Sequence, residues 1–476
     1  MTPRLSPLDH AFWSLESPDA PMHIGALAVF GSGPAGPVDA YAVAALLAQR
    51  AQRIPRLRRR VRPSRNPLEG PVWEDQPDFD AAAQIVRHEL PAEVTADPSD
   101  ARLCRIVGEL MARPVPREAP PWEMHLLGPT AGGADDEPVL FLLLKVHHAV
   151  VDGLRALELG IRLLDGHSDA DAQAPRAPET PAAPTPRATA QRSVVELAAA
   201  TGPASLRLLR SLPVEARRTL RATEIAGSAL VAAVDGVERA LLHPSPMRPS
   251  LLRAAAQRPA SAASGLGLAL PTVAVDDVRL IRKAHGGTAN DVVLAVLAGA
   301  LRGAGERADV RVMVPVSQRG RRSAAGVPAP GNRLSGFLVD LPVSEPDPVS
   351  RLHRVREAMD ARKAAGPRRG AGAVALLADL VPAAAHPFAA PLLRPSAGLL
   401  FDALVTNVPL PDRPFTLAGM PLTGLHPLAP LARHQALSVA VSSFRGRLHL
   451  GLRGRFATAD LSAAVDASAA ELLATC

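Results

Sequence analysis

The chain has 476 residues, of which 47% are hydrophobic, 21% are charged and 3% are aromatic. This balance is typical of globular proteins and excludes a largely disordered chain, and the length favours two domains over one. The formal net charge is +7, but so few aromatic side chains leave little for nucleic-acid bases to stack on, and no nucleic-acid partner is expected.

Cysteine usage and hydropathy indicate the compartment. The chain has only two cysteines, Cys104 and Cys476, so we predict no disulfide framework and a reducing, cytoplasmic compartment. The N-terminal residues lack the apolar segment of a signal peptide. The most apolar later stretch, 373–393, is interrupted by charged residues and prolines, which argues against a membrane-spanning helix. The basic segment Arg53–Arg65 is either a solvated face or a contact with an anionic membrane surface.

The first third of the chain predicts strands and helices in mixture. The apolar run Ile24–Phe30 predicts a strand, and Asp39 predicts the N-cap of the helix that follows. Val139–Val146 is apolar almost throughout and has the length of a strand that is buried on both faces. A helix is predicted next, because apolar residues recur on one face: Leu154, Leu157, Ile161 and Leu164. It is predicted to end at Asp165-Gly166.

A segment rich in proline and alanine divides the chain. Residues 167–191 cannot bury a core, and their composition predicts a flexible linker. The predicted organisation is therefore an N-terminal domain over residues 1–166, the linker over 167–191, and a C-terminal domain over 192–476. The C-terminal domain is expected to begin with helices from Ser193 to about Leu242.

The rest of the C-terminal part also mixes the two kinds of element. A helix is predicted to end at Gly286-Gly287, and Asp291–Arg302 is apolar nearly all round, as in a buried helix. Val310–Val316 and Phe337–Val343 predict strands, and 436–452 predicts a hairpin that turns at Arg445-Gly446. Strands and helices mixed in both parts predict an α/β or α+β fold.

The segment His147–Gly153, HHAVVDG, is the clearest candidate for chemistry, because it lies where the buried strand ends and a helix begins. Adjacent residues on an extended chain point to opposite sides, so only one of the two histidines can face a reacting atom. A neutral imidazole is a suitable general base near pH 7. Asp152 can hold the loop by capping the helix or by pairing with an arginine, and Gly153 permits a tight bend. Two histidines that only form hydrogen bonds in a core would show the same pattern.

Other sites find little support. No His, Cys or Asp cluster has the spacing of metal ligands, so no metal site is predicted. Gly31–Gly36 matches G-x-G-x-x-G, but no acidic residue follows about 20 positions later, and Pro34 lacks the amide that would bind phosphate. A dinucleotide site is therefore not expected. No G-x-S-x-G motif is present to indicate a serine hydrolase.

The histidine motif, taken with an ordered set of further segments, resembles the bacterial wax ester synthase/acyl-CoA:diacylglycerol acyltransferase family, part of the wider HHxxxDG acyltransferase superfamily. The resemblance covers nearly the whole chain. The similar segments are Leu5–Phe30, Pro55–Val61, Trp73–Asp80, Pro120–Glu123, Asn290–Arg302, Val314–Arg319, Gly331–Val343 and Thr406–Pro411.

The resemblance implies a two-domain fold like that of chloramphenicol acetyltransferase and other coenzyme A-dependent acyltransferases, with an active-site channel at the domain interface. It implies that His148, the second histidine of the motif, is the general base, and that His147 and Gly153 support it. It implies a structural role for Asp152, turned toward an arginine for which Arg319 is the candidate. For Asn290 and Asp291, the resemblance is compatible with a catalytic role or with a role in capping the buried helix.

The implied function is transfer of a fatty acyl group from acyl-CoA to diacylglycerol, to a long-chain alcohol, or to both, with no cofactor and with acyl-CoA as co-substrate. A membrane or lipid-inclusion surface is an expected peripheral partner. One alternative is a condensation-domain-like acyltransferase that uses carrier-bound acyl groups. Another is a non-catalytic lipid-binding relative, because the chain departs from the family pattern at Pro116, Pro121, Leu410 and residues 454–456.

Overall fold

The computed structural model describes most of both predicted domains. The described residues are 4–32, 39–64, 70–130, 138–166, 250, 252, 254, 266–317, 334–365, 401–432, 435–454 and 459–476. Four predictions lie outside them: the linker at 167–191, the helices of 193–242, the apolar stretch 373–393, and Arg319.

Helices occur on both sides of the predicted linker. Their bounds are α1 Pro7–Leu15, α2 Ala40–Gln52, α3 Ala101–Ala112, α4 Gly153–Arg162, α5 Val275–His285, α6 Ala289–Gly303, α7 Pro348–Ala365 and α8 Ala459–Leu473.

The strands form two large sheets and one ribbon. Their bounds are β1 His23–Phe30, β2 Arg59–Arg62, β3 Val72–Asp75, β4 Ile85–His88, β5 Trp122–Leu127, β6 Leu140–His147, β7 Gly267–Ala269, β8 Thr272–Ala274, β9 Val310–Ser317, β10 Leu334–Leu341, β11 Ala403–Asn407, β12 Thr416–Leu417, β13 Met420–Leu428, β14 Leu437–Phe444 and β15 Arg447–Gly454. The first sheet has the order β12-β13-β1-β6-β5-β4. The second has the order β10-β9-β11-β14-β15-β7, with β8 also paired to β15, and β2 pairs with β3.

Local sequence signals explain where these elements begin and end. The side chain of Asp39 accepts the N–H groups of Tyr41 and Ala42 and so caps α2. All eight residues of β6 are buried, as predicted for a strand covered on both faces. The β14–β15 hairpin turns at Arg445 and Gly446, whose φ angles of 47° and 72° suit a two-residue turn. The structure confirms these three predictions.

The C-terminal half of the chain completes the first sheet. Strand β13 pairs antiparallel with β1, from Gly25 opposite Leu428 to Phe30 opposite Leu422. The next strand, β14, belongs to the second sheet, so the chain passes from one sheet to the other just after β13. The N-terminal sheet therefore needs a strand from far beyond residue 191, and the predicted domain bounds at 166 and 192 do not separate the two sheets.

Apolar cores cover the first sheet on both faces and join it to the second. On one face the sheet packs against α2 and α4 through side chains such as Leu47 and Leu159. On the other face α3 contributes Met111, which lies in a core that also contains Leu268 and Leu270 from the second part of the chain. The end of β6, where the histidine motif lies, is thus held by apolar packing from both halves of the chain.

Charges in the basic segment are partly offset by neighbouring acids. Arg59 of β2 pairs with Asp75 of β3, while Arg60 and Arg62 both pair with Glu74. These pairs are partly exposed, and each contributes up to about 1 kcal/mol to stability. The ion pairs thus link the two strands of a charged ribbon. A contact of this segment with an anionic membrane stays a prediction.

Two histidines lie where β13 passes β15. The rings of His426 and His449 meet edge to face, with their centroids 4.9 Å apart. One nitrogen of His426 lies 3.2 Å from the carbonyl oxygen of Leu450, and one nitrogen of His449 lies 3.3 Å from that of Phe444. Burial lowers the pKa of His426 to about 3 and that of His449 to about 4, so both rings are neutral at pH 7.

We expect these histidines to make the fold less stable in acid. The pKa of His426 is about 3 in the folded chain and about 6.5 when unfolded. The unfolded chain therefore binds more protons between these values, and the stability present above pH 6.5 is lost as the pH falls. Between about pH 7 and about pH 5 the loss is about 2 kcal/mol for His426. Urea midpoints at the two pH values check this, and a His426→Gln variant with the same pH dependence as the wild type would contradict it.

Candidate active site

The histidine motif forms the turn between β6 and α4. His147 is the last residue of β6, and Gly153 is the first of α4. Asp152 is the N-cap, and its side chain accepts the N–H of Arg155 at 2.9 Å. The N–H of His148 donates to the carbonyl oxygen of Met22, 2.8 Å away, just before β1. A strand end, a capped helix and the start of β1 therefore hold the backbone of the motif in place.

His147 is fully buried and participates in local hydrogen bonding. Its Nδ1 accepts the N–H of Ala149 at 3.0 Å, and its ring meets the edge of Trp13 with centroids 4.9 Å apart. Burial, with smaller contributions from His148 and Arg117, lowers the pKa of His147 to about 3. The ring is therefore neutral, and because Nδ1 accepts a hydrogen bond, its proton lies on Nε2.

His148 has a different environment. Its ring stacks on Phe12 of α1, with centroids 4.1 Å apart and an interplanar angle of 20°. The side chain is almost buried, at 9% exposure. Burial lowers the pKa of His148, opposed by a hydrogen bond with its own backbone and by the charge of Asp152. The imidazole is thus neutral near pH 7, which is the form that can take a proton from a hydroxyl group.

An arginine other than the one predicted lies beside the motif. Arg56, from the 3-10 turn Pro55–Arg58, donates to the carbonyl oxygen of Val150 at 3.1 Å. Burial and the charge of Arg155 lower the pKa of its guanidinium, opposed by the charges of acids that include Asp9 and Asp152. Pairing of Asp152 with Arg319 stays a prediction, because Arg319 lies outside the described residues.

Gly153 lets the C-terminal half approach the motif closely. A Cβ atom at this position would lie 3.2 Å from Cγ2 of Val408, just after β11, which is tighter than ordinary packing. The motif therefore touches both halves of the chain. An active-site channel between the two halves stays a prediction.

Asp291 caps α6. Its Oδ2 accepts the N–H of Thr288 at 2.7 Å, and the hydroxyl of Thr288 accepts the N–H of Asp291 at 3.2 Å. This reciprocal arrangement is a capping box. The hydrogen bonds of Asp291 thus fit the structural role that the sequence left open. A catalytic role for the half-buried Asn290 stays a prediction.

Helix α1 and the residue that follows it contact the motif, and the sequence does not predict these contacts. Phe12 and Trp13 each contact one histidine of the motif, and the carboxylate of Glu16 lies 3.6 Å from His147. The only available signal was a pair of adjacent aromatics followed by an acid in a segment already similar to the family. No local pattern shows that this helix packs on a loop more than 130 positions away.

Within the described residues, no group of three or more His, Cys, Asp or Glu side chains could hold a metal ion. None of the helices described for this chain is long and apolar enough to cross a membrane.

Comparisons with known proteins agree on one family. The family model for the wax ester synthase/diacylglycerol acyltransferase catalytic domain matches residues 5–293, and that for the C-terminal domain of the same family matches residues 330–473. A Mycobacterium tuberculosis protein described as a "probable diacylglycerol O-acyltransferase" is 30% identical over 462 residues, covering 94% of this chain and 90% of its own length.

Solved structures show the same fold. The wax ester synthase/diacylglycerol acyltransferase of Marinobacter aquaeolei VT8 superposes with a TM-score of 0.66 at 22% identity, over 99% of both chains. The first condensation domain of the calcium-dependent antibiotic synthetase gives a TM-score of 0.55 at 18% identity, over 99% of this chain and 96% of that one. The predicted mixed α/β acyltransferase fold is thereby confirmed. Since the first family model alone covers more than half of the chain, the protein belongs to the wax ester synthase/diacylglycerol acyltransferase family and is an acyltransferase.

Proposed function

We propose that this acyltransferase moves a fatty acyl group from acyl-CoA to the hydroxyl group of a diacylglycerol or a long-chain alcohol, with His148 as general base. The observation that carries the proposal is the environment of His148. Its imidazole is neutral near pH 7, stacked on Phe12, and fixed at the backbone by Met22. A base that is held in one place and unprotonated is ready to accept a hydroxyl proton.

The proposed reaction is a direct transfer. His148 takes the proton of the acceptor hydroxyl as its oxygen attacks the thioester carbonyl carbon. The C–S bond then breaks, and the protonated imidazole gives its proton to the leaving sulfur of CoA. General-base help contributes about 10²- to 10⁴-fold in rate, and hydrogen bonds to the developing oxyanion contribute about 3 kcal/mol for each donor. The reaction as proposed needs no metal ion and no redox cofactor.

We propose a cytoplasmic protein that associates peripherally with a membrane or a lipid inclusion. The reason is the chemistry of the acceptors, since both diacylglycerols and long-chain alcohols partition into lipid. Co-sedimentation with vesicles that contain diacylglycerol tests the association. Protein that remains in the supernatant at every lipid concentration would contradict it.

Release of free CoA tests the proposed substrates. Palmitoyl-CoA is supplied with dioleoylglycerol, with hexadecanol, or without acceptor, and the ester products are identified by chromatography. Acceptor-dependent release supports the proposal and shows which acceptor is preferred. Turnover only with palmitoyl attached to a carrier protein would favour the condensation-type alternative. Stoichiometric binding of palmitoyl-CoA without release would favour a non-catalytic carrier.

The pH dependence of kcat/KM is expected to reflect the lowered pKa of His148. A general base acts in its neutral form, so kcat/KM should be constant near pH 7 and fall in acid, with a midpoint below the ordinary histidine value of 6.5. Lowering the pKa extends the active range toward acid. Rates from about pH 5 to about pH 8 check this range, in which histidine normally titrates. A midpoint above 6.5 in the folded protein would contradict the assignment.

A further inference from the structure

Glu16 is a buried acid that touches the motif but has no part in the proposed chemistry. It follows α1 directly, and its side chain is 3% exposed. A buried carboxylate is costly unless charged or polar partners surround it. Its Oε2 accepts from Nε of Arg117 at 3.1 Å, and its Oε1 accepts the N–H of Met22 at 3.2 Å. Both oxygens are therefore used as acceptors.

The contacts of Oε1 lead to both histidines of the motif. This oxygen lies 3.6 Å from Nε2 of His147. The residue whose N–H it binds, Met22, accepts the N–H of His148 with its carbonyl oxygen at 2.8 Å. One carboxylate oxygen thus faces the ring of the first histidine and holds the segment that fixes the backbone of the second.

The position of the proton on His147 makes this contact directional. Nδ1 accepts the N–H of Ala149, so the neutral ring carries its proton on Nε2, facing Glu16. The distance of 3.6 Å is longer than a hydrogen bond, so the attraction is electrostatic. In the opposite tautomer, the proton on Nδ1 would face the N–H of Ala149, and the turn that carries His148 would lose a hydrogen bond.

We infer that Glu16 is a positioning residue for acyl transfer: it holds His147 in the Nε2–H tautomer and, through Met22, fixes the backbone of His148. The inference rests on the proposed role of His148 as general base. Glu16 acts through its neighbours, and no contact with substrate is required of it.

The variant Glu16→Gln separates this role from simple filling of space, because glutamine has the same shape but only one acceptor oxygen. Both sides offer donors, but Arg117 is a charged donor and the N–H of Met22 is neutral, so the amide oxygen turns toward Arg117. The NH₂ group then faces the N–H of Met22 and Nε2 of His147, which favours the opposite tautomer. Replacing Arg117 by methionine in the same chain removes this demand, and the amide oxygen can return to Met22 and His147.

The expected result for Glu16→Gln is a kcat that is about 10- to 100-fold lower, by analogy with the loss seen when carboxylates that orient metal-binding histidines are removed. KM for palmitoyl-CoA should not change. The double variant Glu16→Gln/Arg117→Met should recover most of the lost kcat. The matched control is Glu74→Gln, which removes a carboxylate that pairs with Arg60 and Arg62 at the surface, and its kcat should equal that of the wild type.

A second measurement determines the tautomer of His147 independently of enzyme activity. ¹⁵N NMR of histidine-labelled protein, with the His147 signals assigned by their loss in His147→Asn, should show the proton on Nε2 in the wild type. Glu16→Gln should shift it toward Nδ1, and the double variant should restore it.

Three outcomes would overturn the inference: a wild-type kcat in Glu16→Gln, a loss of kcat that the double variant does not recover, or a wild-type His147 with its proton on Nδ1. The third outcome is measured on the wild-type protein, so it remains a test even if Glu16→Gln fails to fold. Failure of the proposed function is a separate outcome. Full turnover in His148→Ala would show that His148 is not the base, whereas the tautomer of His147 could still be measured by NMR.

Discussion

Replacing His148 by alanine is expected to lower kcat for acyl transfer by about 10²- to 10⁴-fold, the usual contribution of a general base. Without the imidazole, no group at this position takes the hydroxyl proton as the oxygen attacks the thioester. Binding of acyl-CoA does not depend on that proton transfer, so we expect KM for palmitoyl-CoA to change little. Initial rates of CoA release, with the preferred acceptor in excess, measure the effect.

The fold of the His148→Ala variant must be intact for this result to count. The ring stacks on Phe12, and its loss costs about 1 kcal/mol in the free energy of unfolding, so rates are compared at a temperature where both proteins are folded. The matched control is His353→Ala, which removes an exposed histidine on α7 and should leave kcat unchanged. A His148→Ala protein that turns over at the wild-type rate would show that another group is the base.

The Gly451→Ala variant is expected to be less stable than the wild type by about 3 kcal/mol or more, in the upper range for overpacking. Gly451 lies in β15 where β13 passes over it. An added Cβ would overlap the carbonyl oxygen of Pro427 and lie 2.7 Å from a methyl group of Leu428. A backbone oxygen cannot rotate away as a side chain can, so the two strands must separate where the chain passes between the sheets.

Urea midpoints measure this loss. The matched control is Gly160→Ala in α4, where no heavy atom lies within 4 Å of the added Cβ. Because alanine favours a helix over glycine, we expect this control to be unchanged or more stable by up to about 1 kcal/mol. Equal midpoints for Gly451→Ala and the wild type would mean that the strands do not meet as closely as the structure has them.

Much of the local structure and the position of the motif could be predicted from the sequence. An apolar run predicts β6, the cap at Asp39 predicts α2, and alternation about Arg445-Gly446 predicts the β14–β15 hairpin. These signals act over a few residues, because caps, periodicity and turn conformations depend on neighbours along the chain. The ordered segments that resemble the family also predicted its membership, which the family models confirm.

The fold class, the family and the loop that carries His148 can thus be predicted from the residues alone. Only the tertiary structure showed that β13 completes the first sheet, that Arg56 lies beside the motif, and that Glu16 and Phe12 contact its two histidines. The physical reason is that these contacts join segments far apart in the chain. Burial and packing select such partners from many chemically similar residues, and no local pattern distinguishes Arg56 or Glu16 from the other arginines and acids of the sequence.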